Sequence, residues 1–141
     1  MLDHFRGKRP ASTVDEDRPL SSAERAVAER LLRDCAPPEA LAFLPQLDHA
    51  RVTGRCSCGC PTVDLRVPAQ FRVAHPPSGR PLADAFGRVD GKLVGVMLFH
   101  IDGLLCLLET YPLDDFEDSA FDLPAPMTLE PARWNATTNE Q

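Results

Sequence analysis

The chain has 141 residues, of which 43% are hydrophobic, and this is enough to bury the core of one domain. Its formal net charge is −6, and an acidic surface repels phosphate groups. We therefore expect no nucleic acid and no anionic membrane surface as a partner, whereas the charge favours a basic protein.

The N-terminal sequence and the cysteines indicate a cytoplasmic protein. Residues 1–19 carry many charges without an apolar period, which predicts a flexible tail without an export signal. The most apolar stretch, residues 93–108, is interrupted by His100, Asp102 and Gly103 and is too short for a transmembrane helix. Five cysteines in such a chain are expected to be reduced thiols.

Two helices are predicted after this tail. Ser21 and Glu24 have the spacing of a capping box, in which each side chain accepts a hydrogen bond from the other residue's backbone. Apolar residues then recur at helical spacing as far as Cys35. Pro37 and Pro38 end this helix, and Pro38 is also suited to the first turn of a short second helix.

Three hairpins are predicted in the rest of the domain. A two-residue turn at Cys58-Gly59 would give one apolar and one polar face, on which only the pairing of Arg51 with Arg66 is unfavourable. Two further turns, at Asp90-Gly91 and Asp102-Gly103, carry strong hairpin signals. They divide the following region into strands at about 82–89, 92–101 and 104–111.

Together these elements predict an α+β domain at 20–123, with two N-terminal helices packed on a mostly antiparallel, hairpin-connected sheet of about five strands. Residues 124–141, which contain several prolines, are predicted to be a C-terminal tail. The central strand is apolar on both faces, and the helices can cover only one of them. Either the C-terminal segment or a second copy in a homodimer is expected to cover the other.

The most unusual stretch contains three cysteines within five residues, Cys56, Cys58 and Cys60. Thiolates are suitable ligands for zinc or copper(I), and His49 or His75 could supply a fourth ligand. However, common zinc sites use other spacings, and the hairpin register sends Cys56 and Cys60 to opposite faces. Three interpretations stay open: a metal site, a reactive thiol at Cys58, and a tight turn in which the cysteines only pack.

A possible pocket is predicted from three polar residues at strand ends, His100, Glu109 and Tyr111. A histidine that caps the hairpin turn is the simpler interpretation of His100. The standard catalytic motifs do not occur in the sequence, so an enzyme of unrecognised type ranks third among the functional hypotheses.

An acidic stretch follows the last predicted strand. Its carboxylates are expected either to form a solvated surface or to bind a basic partner, as small inhibitor or immunity proteins do. A non-catalytic interaction protein of this kind is the first functional hypothesis, and a thiol or metal-binding protein is the second. The predicted partner-binding residues are Asp114, Asp115, Glu117 and Asp118.

Two segments resemble a group of small uncharacterised bacterial proteins. One is the cysteine hairpin GRCSCGCPTVDL at residues 54–65, and the other is a G-V-x-L-x-x-x-D-G-x-L-x-x-L-E-x-Y pattern at residues 95–111. The resemblance covers about residues 20–111. It implies an α+β domain with these boundaries, and it implies no particular function.

Overall fold

A computed structural model of the protein describes residues 13–132, which form seven strands, one α-helix and several 3₁₀ helices. Within this part of the chain, no helix is both long and apolar enough to cross a membrane. The elements are β1 Thr13–Pro19, α1 Ser22–Asp34, a long 3₁₀ helix Pro38–Asp48, β2 Arg51–Cys56, β3 Val63–Arg66, a 3₁₀ turn Ala69–Phe71, β4 Ala83–Val89, β5 Lys92–Ile101, β6 Leu104–Pro112, a 3₁₀ turn Pro126–Thr128 and β7 Glu130–Pro131.

The seven strands form a single antiparallel sheet in the order β1-β2-β3-β6-β5-β4-β7. The expected fold was therefore wrong in two respects: the sheet has seven strands rather than five, and β1 precedes the helices. Sequence patterning missed β1 because its side chains join it to β2 through ion pairs rather than through an apolar face. Asp17 accepts a hydrogen bond from Arg51 at 2.7 Å, and Glu16 accepts one from Arg55 at 2.8 Å.

Both predicted tails contribute to the folded domain. Residues 13–19 of the expected N-terminal tail form β1, and β7 lies in the expected C-terminal tail. Next to β7, Leu129 and Ala132 are buried. Residues 1–12 and 133–141 of the two predicted tails lie outside the part of the chain that the structure describes.

The predicted capping box at the start of α1 is confirmed. Ser21 Oγ accepts from the Glu24 N–H at 3.1 Å, and Glu24 Oε1 accepts from the Ser21 N–H at 2.9 Å. Arg18 of β1 also donates to both carboxylate oxygens of Glu24 at 2.9 Å. Burial alone would raise the pKa of Glu24, but these hydrogen bonds outweigh it and lower the pKa. The helix is thereby joined to the edge strand.

The two Asp-Gly turns are also confirmed, with positive φ angles at Asp90 and Asp102. They connect β4, β5 and β6 in register, except for a bulge near the second turn. The bulge pairs Phe99 with Leu107 rather than with Cys106 as expected. A single extra residue in one strand shifts every later pair by one position.

A buried glutamine, Gln46 of the long 3₁₀ helix, fastens the helical layer to the sheet. Its amide nitrogen donates to the carbonyl oxygens of Phe71 and Gly103, and its amide oxygen accepts from the Leu105 N–H at 2.9 Å. The Gln46 side chain thus gives three backbone groups of neighbouring segments a hydrogen-bond partner inside the fold. The helices pack on one face of the sheet, where Val94, Val96 and Leu98 of β5 belong to the main core.

The opposite face of β5 carries a second, smaller apolar cluster that includes Phe99, Cys106 and Leu107. Phe99 is 9% exposed and Leu107 is 1% exposed within the single chain. A homodimer across this face stays a prediction, because the structure contains one copy.

Candidate functional site

The loop between β2 and β3 brings the three clustered cysteines together. Sulfur atoms of Cys56, Cys58 and Cys60 all lie within 4.8 Å of one another. The expectation that Cys56 and Cys60 point to opposite faces was therefore wrong. A bulge at Thr53 shifts the strand register, and six residues rather than two connect the strands. Gly59, with φ at +92°, allows the chain to fold back.

Contacts from β6 and the segment after it hold this loop in place. The Thr62 hydroxyl donates to the Thr110 carbonyl oxygen at 3.0 Å and accepts from the Thr110 N–H at 2.9 Å. Ser119 Oγ donates to the Cys58 carbonyl oxygen at 2.7 Å. Sequence reasoning missed Thr62 and Ser119 because both roles depend on contacts between distant parts of the chain.

The three thiols differ in their electrostatic environment. Burial, together with the neighbouring thiols, raises the pKa of Cys56 to about 11. Burial opposes ionisation of Cys58 as well, but hydrogen bonds from Cys56 and Cys60 outweigh it and lower the pKa of Cys58. Its sulfur lies 3.1 Å from Cys56 Sγ and accepts from the Cys60 N–H at 3.3 Å. The arrangement therefore favours one thiolate supported by its neighbours.

Within the described part of the chain, the cluster consists of three cysteines. The predicted fourth ligands, His49 and His75, are not members of it. His49 instead stacks on Phe71, with ring centroids 3.8 Å apart. The other two cysteines, Cys35 and Cys106, are buried elsewhere in the fold. Three sulfur donors at this separation are close enough to bind a metal ion.

The predicted pocket of His100, Glu109 and Tyr111 is not formed. His100 lies on the helical side, where its ring is 5.2 Å from that of Phe43, and its Nδ1 accepts from the N–H of Gly103 in the hairpin turn. Burial lowers the pKa of His100. Strand pairing places Glu109 opposite Met97 and Tyr111 opposite Gly95, on the other face. His100 therefore has the capping role that was the simpler interpretation.

The predicted acidic residues lie in the segment after β6, of which Ser119 contacts the cysteine loop. Asp114 accepts a hydrogen bond from the Leu93 N–H at 2.7 Å, so this carboxylate has a structural role. The backbone carbonyl of Asp115 accepts from Lys92 Nζ at 2.6 Å, and Asp115 is exposed. Glu117 and Asp118 are exposed too.

Comparisons with known proteins give no family. No family model matches the chain, and neither the curated proteins nor the solved structures contain a significant match. Evidence on function therefore comes from the geometry of the molecule itself.

Proposed function

We propose that the protein binds one soft metal ion through Cys56, Cys58 and Cys60. The observation that carries this proposal is the convergence of their three sulfur atoms within 4.8 Å on one loop. Three adjacent thiols cannot all ionise without a compensating cation, because their negative charges repel one another. A metal ion supplies that charge and displaces the thiol protons.

Copper(I) matches this ligand set better than zinc. Copper(I) is a soft ion, and thiolate ligands select it. Structural zinc sites are almost always four-coordinate, and a zinc ion here would need a further ligand from outside the described residues. The proposal therefore ranks copper(I) first and zinc second.

Metal binding can be measured by adding copper(I) anaerobically to the reduced protein in the presence of a competing chelator. We expect one equivalent to be retained, with three thiols protected from a thiol reagent. Replacing Cys58 with serine should weaken retention by at least about tenfold, because a hydroxyl is a poor donor for a soft ion. A parallel titration with zinc tests the order of preference.

Two matched variants serve as controls. Ser57→Ala changes the same exposed loop without removing a sulfur, and Cys35→Ala removes a thiol whose pKa burial raises to about 11. Both should retain copper(I) as the unaltered protein does. Equal retention by Cys58→Ser and the unaltered protein would contradict the proposal, as would three freely reactive thiols after copper(I) addition.

We also propose, as a second candidate function, that the acidic segment docks a basic protein partner. The observation that favours it is the group of exposed carboxylates on Asp115, Glu117 and Asp118, in a segment fixed to the fold through Asp114. Charged groups on a surface accelerate association with a partner of opposite charge, and salt screens this effect.

Salt dependence tests this second candidate. Association with a lysine-rich probe protein should slow as salt is added, and the triple variant Asp115→Asn, Glu117→Gln and Asp118→Asn should abolish most of the salt effect. The matched control neutralises Glu29, Asp34 and Glu39, which are carboxylates on the helical side of the chain. Association rates that do not change with salt would exclude the acidic segment as a docking surface.

A further inference from the structure

The hairpin of β2 and β3 has an unusual pair of arginines at the end away from the cysteine loop. Arg51 and Arg66 lie directly opposite each other in the strand register. Like charges in such a position destabilise a sheet. Arg51 Nε donates to Asp17, but within residues 13–132 no hydrogen bond or ion pair engages the side chain of Arg66. One guanidinium at this point therefore has no ion-pair partner among the described residues.

A cleft of about 710 Å³ opens beside these arginines. Its lining includes the hydroxyl of Thr53 and the imidazole of His49, and both can hydrogen-bond a polar ligand. Asp15, Glu16 and Asp17 line it as well, and Glu16 and Asp17 are already paired with Arg55 and Arg51. Because their carboxylates repel a doubly charged anion, the cleft is better suited to a ligand with a single negative charge.

An apolar groove of about 360 Å³ adjoins this cleft. Strands β3 and β6 pair only at Val63 and Asp64. The two strands diverge beyond Asp64, and the groove lies between them. Its apolar lining includes Leu65, Val67, Ile101 and Leu104.

Arg66 and Pro68 line both cavities, so the polar cleft and the apolar groove meet at the unpaired guanidinium. We propose that together they form a binding site for an organic monocarboxylate with an apolar body. Arg66 donates hydrogen bonds to the carboxylate, supported by Arg51, and the apolar body lies in the groove along Ile101 and Leu104. Binding sites of this kind combine an apolar lining with a few placed polar groups, and their volumes are similar.

The test uses decanoate below its micelle concentration, with binding heats measured by titration calorimetry. We expect saturable binding of decanoate, at least tenfold weaker binding of 1-decanol, and no detectable binding of acetate. Arg66→Gln should weaken decanoate binding by roughly tenfold or more, because it removes a charge-assisted hydrogen bond from an exposed side chain without disturbing the core. Arg80→Gln, another exposed arginine, is the matched control and should bind as the unaltered protein does.

Methyl resonances locate the apolar body of the ligand. Addition of decanoate should shift the methyl signals of Ile101 and Leu104. The methyl signals of Val27, a core residue of α1, should not move. The proposal is overturned if decanoate does not bind, if Arg66→Gln binds it within twofold of the unaltered protein, or if the Ile101 and Leu104 signals stay in place.

Discussion

The two hairpin glycines have the same backbone conformation but very different surroundings. Gly91 has a φ of +79° and Gly103 a φ of +82°, a region that side chains rarely adopt. A Cβ atom at Gly91 would meet nothing within 4 Å. A Cβ atom at Gly103 would collide with the carbonyl oxygen of Val73, whose N–H donates to the Gly103 carbonyl oxygen at 3.0 Å.

Alanine at these two glycines should therefore have unequal effects on stability. Gly91→Ala should lower the free energy of unfolding by about 1–2 kcal/mol, since only the backbone is strained. Gly103→Ala should cost roughly 2 kcal/mol more, because two backbone segments must also separate. Urea unfolding of both variants measures the difference, and equal losses would show that the Val73 contact does not restrict this turn.

One residue could not have been found from the sequence at all. Gln46 lies in a proline-flanked, partly apolar stretch that predicts a short helix and gives no sign of a buried amide. Its three backbone partners come from residues 25 to 59 positions away. Periodicity describes which face of an element is apolar, but it does not show which polar group a distant turn will need.

Among the elements, β7 and the 3₁₀ turn before it contribute more to the fold than their length suggests. Leu129 is 1% exposed, and its carbonyl oxygen accepts a hydrogen bond from Arg30 of α1 at 3.2 Å. The Ala132 N–H donates to the Asp84 carbonyl oxygen at 3.2 Å. This segment closes the β4 edge of the sheet, although its prolines favoured a tail.

Shortening the side chain of Leu129 to alanine tests this role. Leu129→Ala should lower the free energy of unfolding by about 2–5 kcal/mol, as expected for a buried leucine. Met127→Ala, two residues earlier, should change it by less than about 0.5 kcal/mol, because Met127 is 83% exposed. Thermal or urea unfolding distinguishes the two, and a small effect of Leu129→Ala would indicate that the segment packs only loosely on the sheet.

Turns were predictable where a local signal determines the geometry, and registers were not. Both Asp-Gly turns, together with the pairing of Phe86 with Gly95, occur as predicted. The bulges at Thr53 and near Phe99 were missed, since nothing in alternating polarity marks an inserted residue. The error at Thr53 mattered most, because it led to the prediction that the cysteines separate.

At the scale of the whole molecule, the sheet combines two kinds of strand. The consecutive strands β4, β5 and β6 are recognisable from their apolar residues and their turns. Strand β1 depends on ion pairs with β2 and with α1, so its sequence has the composition of a flexible tail. Charge pairs between separate segments can be recognised only once the segments are placed side by side.

The position of the three cysteines within five consecutive residues has a consequence for the metal binding that we propose. The two outer cysteines of such a short segment stay near each other even in an unfolded chain, so little loop-closure entropy opposes chelation there. Metal bound by the unfolded chain adds little to the stability of the native state. The ion would act as cargo rather than as a structural support, and it could load onto the chain during synthesis, before the sheet has formed.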